Sequence, residues 1–248
     1  MKVTIITATY NSAKNIKTCL DSVISQNYSD LEYLLIDGKS SDATLNILKY
    51  YQQKYSYLSV VSEEDFGIYD ALNKGVQLAT GDVIGFVHSD DVLADNQIIS
   101  DLVAELKTKE LDGVYGDLQY VKKNDLNKIV RFWKSCNFKS SQLKKGWMPP
   151  HPTLFLKRDV YRKHGLFNLD YKIAADYDFM LRILNDHSLK YDYLPKVITK
   201  MRVGGASNGS LKNIMQKTKE DYRVIKNNEI GGILTLLGKN ILKIKQFL

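Results

Sequence analysis

The chain has 248 residues and a formal net charge of +7, with 35 Lys and Arg against 28 Asp and Glu. This length suits a single globular domain with a sizeable core. The 2 cysteines are too few for a disulfide framework, so a reducing, cytoplasmic location is expected. No run approaches about 18 apolar residues, and the short apolar start does not resemble a signal peptide, so the sequence predicts no membrane-spanning helix.

Strands and helices are predicted to alternate along the first half of the chain. Four apolar, largely β-branched runs suit buried strands: residues 2–9, 31–36, 58–61 and 82–87. Apolar residues at helical spacing separate them, which predicts crossover helices and a mainly parallel sheet. Asn11 or Ser12 is expected to cap the first helix, and Ser40, Ser41 or Asp42 the second.

Acidic residues follow three of these predicted strands. Asp37 follows the second, residues 63–65 follow the third, and Asp90 and Asp91 follow the fourth. Ligands collect beyond the carboxyl ends of parallel strands, so these groups should meet at one edge. On its own, an Asp pair would more often begin a turn and cap the following helix. Three acidic strand ends together favour a metal–phosphate site, because hard cations are held by one or two carboxylates and substrate phosphates.

The second half of the chain is less regular. A strand is predicted over residues 114–121, followed by basic residues interleaved with aromatic ones. That pattern suits nucleic acid, a sugar-bearing acceptor, or a surface loop with Trp133 and Trp147 in the core. His151 is a candidate for the cleft, although a lone histidine is more often structural. Asp176 precedes apolar residues at helical spacing, so it is either a helix cap or a functional carboxylate.

The positive charge is concentrated at the C-terminal end. Residues 190–248 carry 12 Lys and Arg against 4 Asp and Glu, a net of +8. One broad apolar face is expected there, flanked by Lys239, Lys243 and Lys245; its residues are Ile230, Ile233, Leu234, Leu237, Ile241 and Leu248. Such a helix could bind an anionic membrane, or it could pack on the domain with its lysines in solvent.

Several segments together resemble the inverting family 2 glycosyltransferases with a GT-A fold, particularly members that build bacterial exopolysaccharides and antigens. In chain order they are TATYNSAKNI, IDGKSSDAT, EEDFGIYDALNKG, HSDD, HPTLFLKRDVYRKHGLFN, IAADYDFMLR and RVGGAS. The resemblance implies a GT-A-like α/β domain over residues 1–210, with a Rossmann-type, mainly parallel central sheet flanked by helices. Residues 1–121 would form its nucleotide-sugar-binding half, 122–210 its acceptor and catalytic half, and 211–248 a basic amphipathic helical tail.

The resemblance also implies an activity and its residues. A hexosyl or N-acetylhexosaminyl group would pass from a nucleotide diphosphate sugar to a glycan or lipid-linked acceptor, with Asp176 as general base. Asp90, with Asp91, would bind Mn²⁺ or Mg²⁺. The implied nucleotide-sugar contacts are Thr7, Tyr10, Asn11, Asp37, Asp65, Asn73, Lys74, His88, Ser89, Asp90 and Arg202.

The sequence departs from the pattern of this family at two positions. Gly38 follows Asp37 where many relatives carry a second acid, and His88 replaces the first acid of the metal-binding motif. Near the end of the domain, Gly204 and Gly205 predict a segment that closes over the donor.

Two other functions are considered. A nucleotidyltransferase would normally carry a Gly-rich, basic phosphate loop near its N-terminus, and TATYNSAKN has neither feature. A non-enzymatic RNA- or membrane-binding module conflicts with the acidic strand ends, which would repel phosphate unless a cation bridged them. No nucleic-acid partner is therefore expected. Peripheral binding to the inner face of the cell membrane stays an alternative, and the sequence predicts no oligomeric state.

Overall fold

The computed structural model describes residues 1–204, 211–244 and 246. Gly205 of the predicted closing segment, and Lys245 and Leu248 of the predicted tail, lie outside the described residues.

Strands and helices alternate in the first half of the chain, as predicted. They are β1 (Val3–Thr9), α1 (Ile16–Ile24), β2 (Leu31–Asp37), α2 (Thr44–Lys54), β3 (Leu58–Ser62), α3 (Ile68–Leu78), β4 (Val83–Phe86), β5 (Val92–Leu93) and α4 (Ile98–Thr108). Asn15, rather than Asn11 or Ser12, is the N-cap residue of α1. Ala43, rather than Ser40, Ser41 or Asp42, is the N-cap residue of α2, although Oδ1 of Asp42 accepts a hydrogen bond from the first helical amide, that of Thr44, at 2.9 Å.

The second half contains a long hairpin, short 3₁₀ helices and four α-helices. The elements are β6 (Gly113–Lys122), β7 (Asp125–Trp133), 3₁₀ helices at Ser140–Lys145 and His151–Thr153, β8 (Phe155–Lys157), α5 (Arg158–His164), α6 (Ala175–Leu184), β9 (Tyr191–Arg202), α7 (Leu211–Asn227) and α8 (Ile233–Ile244). The predicted strand over residues 114–121 is β6.

In the described part of the chain, nine strands form one sheet in the order β3-β2-β1-β4-β8-β6-β9-β5, with β7 paired to β6. The four strands β1 to β4 are parallel to one another. Strand β8 runs antiparallel between β4 and β6. The predicted single α/β domain with a central, largely parallel sheet flanked by helices is confirmed, and the second half adds the antiparallel pairs.

The core occupies both faces of the sheet. Adjacent residues of β1 point to opposite faces, so Ile5 packs in the cluster that contains Leu20 and Leu102, and Ile6 packs in the one that contains Leu72 and Met180. Because both faces are covered, the strand sequences are continuously apolar rather than alternating. Helices α1, α2 and α4 cover one face, and α3, α6 and α7 contribute to the other.

The C-terminal helix α8 packs directly against the first 3₁₀ helix. A Cβ added at Gly238 would lie 2.4 Å from the backbone oxygen of Lys145, and one added at Gly146 (φ +78°) would lie 2.4 Å from the amide nitrogen of Lys239. Glycine therefore permits this close backbone approach. The domain boundary at residue 210 stays a prediction, but the helices after it are packed on the body of the molecule.

Helix α8 nevertheless exposes part of its predicted apolar face. Ile230 and Leu236 are buried, whereas four apolar side chains are exposed; these are Ile233, Leu234, Leu237 and Ile241. We call these four residues the apolar stripe. Two of the expected flanking lysines do not flank this face in solvent, because Lys239 pairs with Asp221 and is only 13% exposed, and Lys243 lines the cleft described below. No helix in the described ranges is long and apolar enough to cross a membrane.

Candidate active site

A cleft of about 1020 Å³ opens at the carboxyl edge of the parallel strands. The ends of β1, β2 and β3 lie side by side at this edge, because Asp37 at the end of β2 is in register with Thr9 of β1 and Ser62 of β3. Of the acidic residues predicted to meet there, Asp65 and Asp90 line the cleft. Seven of the predicted site residues line the cleft, namely Tyr10, Asn11, Asp65, His88, Ser89, Asp90 and Asp176. Six others do not line it, namely Thr7, Asp37, Asn73, Lys74, Asp91 and Arg202.

The loop after β1 presents an aromatic ring to the cleft. Tyr10 is 64% exposed and lines the cleft. Its neighbour Asn11 has a positive φ of 48°, and its Oδ1 accepts a hydrogen bond from the amide of Ser41 at 2.9 Å. The amide of Asn11 donates to Oγ of Ser40 at 2.9 Å. The loops after β1 and β2 are therefore joined by hydrogen bonds, which restrain the backbone next to Tyr10.

Thr7 and Asp37, two of the predicted nucleotide contacts, are buried beneath the loops at the edge of the cleft. Thr7 is fully buried and donates to the carbonyl oxygen of Val87 at 2.6 Å. Asp37 is also fully buried. Its carboxylate accepts hydrogen bonds from the amide and hydroxyl of Ser40 and from the hydroxyl of Ser62. Both side chains point into the protein, where their polar groups form hydrogen bonds with neighbouring segments.

The acidic segment after β3 is held in place by α3. Lys74 forms an ion pair with Glu63 at 2.9 Å and donates to the backbone oxygen of Glu64 at 2.6 Å. Asp65 lines the cleft, and its Oδ1 accepts a hydrogen bond from Gly67, whose φ of 115° suits glycine. Lys74 thus orients the acidic loop and lies outside the cleft.

Asn73, also on α3, clamps a distant segment. Its side chain donates to the carbonyl oxygen of Phe167 and accepts from the amide of the same residue, each at 2.9 Å. The side chain is buried. Asn73 therefore holds the chain after α5 against α3 and does not reach the cleft.

The HSDD segment after β4 divides into cleft-facing and buried residues. His88, Ser89 and Asp90 line the cleft. Asp91 is fully buried, and its Oδ1 accepts a hydrogen bond from the amide of Arg202 at 3.0 Å, while its Oδ2 has no partner in the described structure. Burial, reinforced by the charge of Asp90, raises the pKa of Asp91 well above its usual value. Asp91 therefore does not join Asp90 in facing the cleft.

Arg202 supports this segment from below. Its guanidinium donates to the backbone oxygen of Asp90, to Oγ1 of Thr18 at 2.9 Å and to the backbone oxygen of Lys123 at 3.2 Å. The side chain is buried. Three acceptors within the protein thus occupy the guanidinium that is predicted to contact the nucleotide sugar, and Arg202 holds the backbone of Asp90 in position.

Two imidazoles lie next to each other at the base of the cleft. Burial lowers the pKa of His88, although the negative charges of Asp90 and Asp176 act in the opposite direction. Burial also lowers the pKa of His151 to about 4. The ring centroids are 6.5 Å apart. Both rings are therefore neutral near pH 7, and Nδ1 of His88 is buried without a hydrogen-bond partner among the described residues.

Asp176 faces the cleft from the first turn of α6. Ala174 is the N-cap residue of this helix, so the cap interpretation of Asp176 is wrong. Oδ1 of Asp176 accepts a hydrogen bond from the amide of Tyr177 at 2.8 Å and lies 3.1 Å from the hydroxyl of Tyr69. Asp178 is buried and paired with Arg182 at 3.0 Å. Of the two carboxylates in this turn of α6, Asp176 and Asp178, only that of Asp176 lines the cleft.

The residues present would hold a divalent cation only together with a ligand. Within residues 1–204, 211–244 and 246, no group of three or more His, Cys, Asp and Glu side chains could hold a metal. Asp90 reaches the cleft with its carboxylate, and the unpartnered Nδ1 of His88 belongs to the same segment. One carboxylate and substrate phosphates are a sufficient ligand set for Mg²⁺. Of the two carboxylates predicted to bind the metal, only Asp90 lines the cleft.

Sequence reasoning missed the side of the cleft formed by the C-terminal helices. Lys217 and Asp221 of α7, and Lys239 and Lys243 of α8, line the cleft together with Arg131 of β7. Two aromatic residues, Trp133 and Trp147, line it too. The charge of +8 after residue 189 and the mixture of basic and aromatic residues were the available signals.

Comparison with known proteins places these observations in a family. The profile of "Glycosyl transferase family 2" matches residues 4–165. The chain belongs to this family. It is a glycosyltransferase, and it is 31% identical over 214 residues to a "PGL/p-HBAD biosynthesis glycosyltransferase" of Mycobacterium tuberculosis, covering 82% of this chain and 78% of the relative. It is also 29% identical to the chondroitin synthase of Pasteurella multocida, covering 90% of this chain and 23% of that protein.

Solved structures of other proteins share the fold. The structure of S. aureus TarS 1-349 in complex with UDP has a TM-score of 0.72 and 22% identity, and the match covers 100% of this glycosyltransferase and 70% of that chain. The mannosyltransferase PcManGT from Pyrobaculum calidifontis, in complex with GDP-Man and Mn²⁺, has a TM-score of 0.69 and 19% identity, with 99% and 70% covered. The GT-A-like expectation for the fold is therefore confirmed.

Proposed function

We propose that this glycosyltransferase moves a sugar from a nucleotide diphosphate sugar to a glycan or lipid-linked acceptor, with inversion of the anomeric carbon. The observation that carries this proposal is that Asp90 and Asp176 face one cleft and that the negative charges of both act on His88. A carboxylate for a phosphate-bound cation and a proton acceptor thus lie in one cleft, near the same imidazole. The UDP and GDP-Man complexes of the structural neighbours support a nucleotide-sugar donor.

Asp176 is proposed as the general base. The acceptor hydroxyl loses its proton to the Asp176 carboxylate as its oxygen forms a bond to the anomeric carbon. The bond from that carbon to the diphosphate oxygen breaks, and the nucleoside diphosphate leaves. One base and one displacement invert the configuration, whereas a retaining enzyme of the hydrolase type needs a closely set nucleophile and acid. The amide of Tyr177 and the hydroxyl of Tyr69 orient the carboxylate for this proton transfer.

The donor is proposed to bind at the strand ends. Tyr10 would stack on the base, Asn11, Asp65 and Ser89 would contact the nucleotide sugar, and Asp90 would hold Mn²⁺ or Mg²⁺ together with the diphosphate. When bound, the cation supplies positive charge that stabilises the leaving group. The other predicted contacts are proposed to act indirectly by fixing the loops; they are Thr7, Asp37, Asn73, Lys74, Asp91 and Arg202.

The neutral state of His88 suits its position in the metal-binding motif. A neutral imidazole nitrogen can ligate a metal or accept a hydrogen bond, and a protonated one can do neither. Replacing a carboxylate by this ring removes one negative charge beside the diphosphate. The alternatives of a nucleotidyltransferase or a non-enzymatic binding module are not favoured, because the family and its named relatives are glycosyltransferases.

A peripheral contact with the membrane is proposed to bring the enzyme to a lipid-linked acceptor. The support is the apolar stripe of α8, whose Leu234 is 80% exposed and whose Ile233 is 64% exposed. An amphipathic helix with such a face can lie in the membrane interface.

A calorimetric titration tests the donor site. UDP and GDP should bind wild type in the presence of Mn²⁺, and EDTA or Asp90→Asn should weaken binding by about tenfold or more, since a charge-assisted contact is lost. Asp159→Asn is the matched control, because that carboxylate is exposed on α5 and outside the cleft. Undiminished affinity in both EDTA and Asp90→Asn would show that the metal assignment is wrong. A panel of nucleotide sugars, with release of nucleoside diphosphate as the readout, identifies the donor.

A further inference from the structure

The chain has 2 tryptophans, Trp133 and Trp147, and both line the cleft. Trp133 is the last residue of β7, and Trp147 follows the first 3₁₀ helix. Both side chains are partly exposed. We call these two rings the aromatic subsite. The sequence left open whether they lie in the core or at a binding surface, and their place in the cleft favours a binding surface.

The Trp147 ring is supported by aromatic residues behind it. It stacks on Phe138, with the ring centroids 5.8 Å apart and an interplanar angle of 21°. The Tyr115 ring meets it in a T-shaped arrangement at 6.0 Å. Both arrangements are favourable for aromatic pairs. Phe138 therefore covers one face of the indole and holds the ring in place at the wall of the cleft before any ligand binds.

The Trp133 ring is not part of the core. It packs against neither of the two hydrophobic clusters formed by the described residues. The guanidinium carbon of Arg131 lies 5.7 Å from its centroid and 4.3 Å from the centroid of the Tyr120 ring. Burial of apolar surface is what makes a large side chain stabilise a fold. The Trp133 indole keeps part of that surface exposed in the cleft, where a ligand can cover it.

Both indoles also keep a hydrogen-bond donor for a ligand. Within residues 1–204, 211–244 and 246, Nε1 of Trp133 and Nε1 of Trp147 donate to no protein acceptor, and neither nitrogen is buried. An indole N–H is a donor only. A pyranose ring matches this chemistry, because its C–H groups form an apolar face for stacking and its hydroxyls accept hydrogen bonds at the rim.

The aromatic subsite is close to the proposed base. Gly146, the residue before Trp147, lies so near the backbone of Lys239 that an added Cβ would collide with its amide nitrogen. The ammonium of the same lysine lies 3.3 Å from the centroid of the ring of Tyr177, the residue after Asp176. A single lysine side chain therefore spans the distance between the neighbour of Trp147 and the neighbour of Asp176.

The proposed donor residues lie on the other side of Asp176. Oδ1 of Asp176 is 3.1 Å from the hydroxyl of Tyr69, which belongs to the first turn of α3, directly after the loop of Asp65. In the sheet, β4 lies between β1 and β8, and β7 pairs with β6. The HSDD segment after β4 thus separates the loop of Tyr10 from Trp133. A ligand on the tryptophans lies across the proposed base from the donor.

We propose that the aromatic subsite binds a sugar ring of the acceptor substrate, so that the enzyme extends an acceptor that already carries a sugar. The inference rests on the proposed sugar transfer. An earlier glycosyl transfer must then supply the acceptor, because a bare lipid or lipid phosphate has no pyranose ring to stack on an indole. The sugar on the tryptophans anchors the acceptor beside Asp176 and directs its hydroxyl toward the donor sugar.

Indole fluorescence tests the proposal directly, because both tryptophans of the chain belong to the aromatic subsite. Cellobiose, lactose and N,N′-diacetylchitobiose are titrated with and without saturating UDP and Mn²⁺. Sorbitol is the acyclic polyol control without a ring face, and farnesol is the probe for a lipid chain. At least one disaccharide should change the emission of wild type in a saturable way, also when UDP is bound. Sorbitol and farnesol should cause no such change.

A pair of variants on β7 locates the binding. Trp133→Leu should lose about fivefold or more of the disaccharide affinity, because a stacked ring and a donor disappear, while Trp147 still reports by fluorescence. Phe132→Leu is the matched control, since this neighbouring aromatic ring is 40% exposed and lies outside the cleft. It should change the affinity by less than about twofold. Circular dichroism checks the fold of both variants, and calorimetry should show unchanged UDP affinity.

The outcomes distinguish this inference from the proposed function. No saturable change with any of the three disaccharides, or equal losses in Trp133→Leu and Phe132→Leu, would overturn the inference. Displacement of the disaccharide by UDP, or a loss of UDP affinity in Trp133→Leu, would assign the aromatic subsite to the donor and also overturn it. A response to farnesol alone would assign it to a lipid chain, with the same consequence. Failure of wild type to bind any nucleotide would contradict the proposed function, while the titrations without UDP would still report on the aromatic subsite.

Discussion

The two sides of the cleft are built on opposite principles. At the strand ends, polar side chains such as Asp37, Asn73 and Arg202 are buried and bonded to backbone groups of neighbouring loops. The opposite side of the cleft is formed by β7, α7 and α8 and is here called the basic end. Lys217, Lys239 and Lys243 line it, and Asp221 forms ion pairs with Lys217 and Lys239. The first side is therefore fixed in shape before any ligand arrives, which favours precise positioning. The second instead places lysine side chains at the wall of the cleft.

The largest expected effect is on the rate of sugar transfer, and it comes from substituting Asp176. Asp176→Asn keeps the hydrogen bonds from Tyr177 and Tyr69 but cannot accept a proton near pH 7. Transfer should fall by about 10²- to 10⁴-fold, while affinity for UDP with Mn²⁺ stays near that of wild type. Steady-state transfer and calorimetry on the same preparation measure both quantities, with Asp159→Asn as the exposed control. Undiminished turnover would remove Asp176 from the mechanism.

The next effect tests whether the strand-end side is as rigidly supported as its contacts indicate. Arg202→Ala leaves the backbone oxygens of Asp90 and Lys123 and the hydroxyl of Thr18 without their donor. We expect a loss of about 3 kcal/mol in the free energy of unfolding, because buried polar groups become unsatisfied. Urea denaturation measures it, and Lys122→Ala, at an exposed position of β6, is the control.

The same position distinguishes support from direct phosphate contact. If Arg202 acts only through Asp90, any loss of UDP affinity in Arg202→Lys should accompany a loss of stability. A variant of unchanged stability with much weaker UDP binding would instead place the guanidinium on the diphosphate.

The third effect is a pH dependence at the basic end. Burial, the largest cause, lowers the pKa of Lys239 from 10.5 to about 8, although Asp221 acts in the opposite direction. Between these two pH values the unfolded chain still binds the lysine proton that the folded chain has released. Stability from this group is therefore lowest near neutral pH and rises as the pH rises through the window.

Lys239→Met removes this titration while keeping a long side chain over Tyr177. The difference in unfolding free energy between wild type and Lys239→Met should change by about 2 kcal/mol in favour of wild type across that window. Urea denaturation at the two ends of the window measures it, and Lys219→Met is the exposed control. Parallel pH curves for wild type and Lys239→Met would contradict the buried position of the ammonium.

The sequence was most informative where local pattern determines structure. Apolar runs located β1 to β4, and acidic residues after them located one edge of the cleft, because the carboxyl ends of parallel strands coincide. The pattern could not show which carboxylates turn inward. The carboxylate of Asp37 accepts hydrogen bonds from the hydroxyls of Ser40 and Ser62, and Asn73 donates to the backbone oxygen of Phe167, which is 94 residues away. Such pairings depend on tertiary structure.

The C-terminal helices show the same limit more sharply. Helical periodicity identified an apolar face on α8, and composition identified its positive charge. Neither signal indicates which side of a helix docks on the domain. That choice depends on the close approach at Gly146 and Gly238, which brings Lys239 and Lys243 to the cleft and leaves the apolar stripe outside. The two glycines were visible in the sequence, but their partners were not.

The smallest expected effect tests whether the apolar stripe acts separately from the basic end. Leu234→Glu changes an 80% exposed side chain, so the fold and UDP affinity should be unaffected, whereas binding to vesicles that contain anionic lipid should fall severalfold. Since Lys239 and Lys243 are turned toward the cleft, this binding should depend more on the apolar contact than on charge, and raising the salt concentration should weaken it only modestly. Co-sedimentation with vesicles at low and high salt measures both effects. Ile129→Glu, at an exposed position on β7, is the control for an apolar side chain outside the stripe. If wild type stays in the supernatant at low salt, or if Ile129→Glu and Leu234→Glu behave alike, the stripe does not bind membrane.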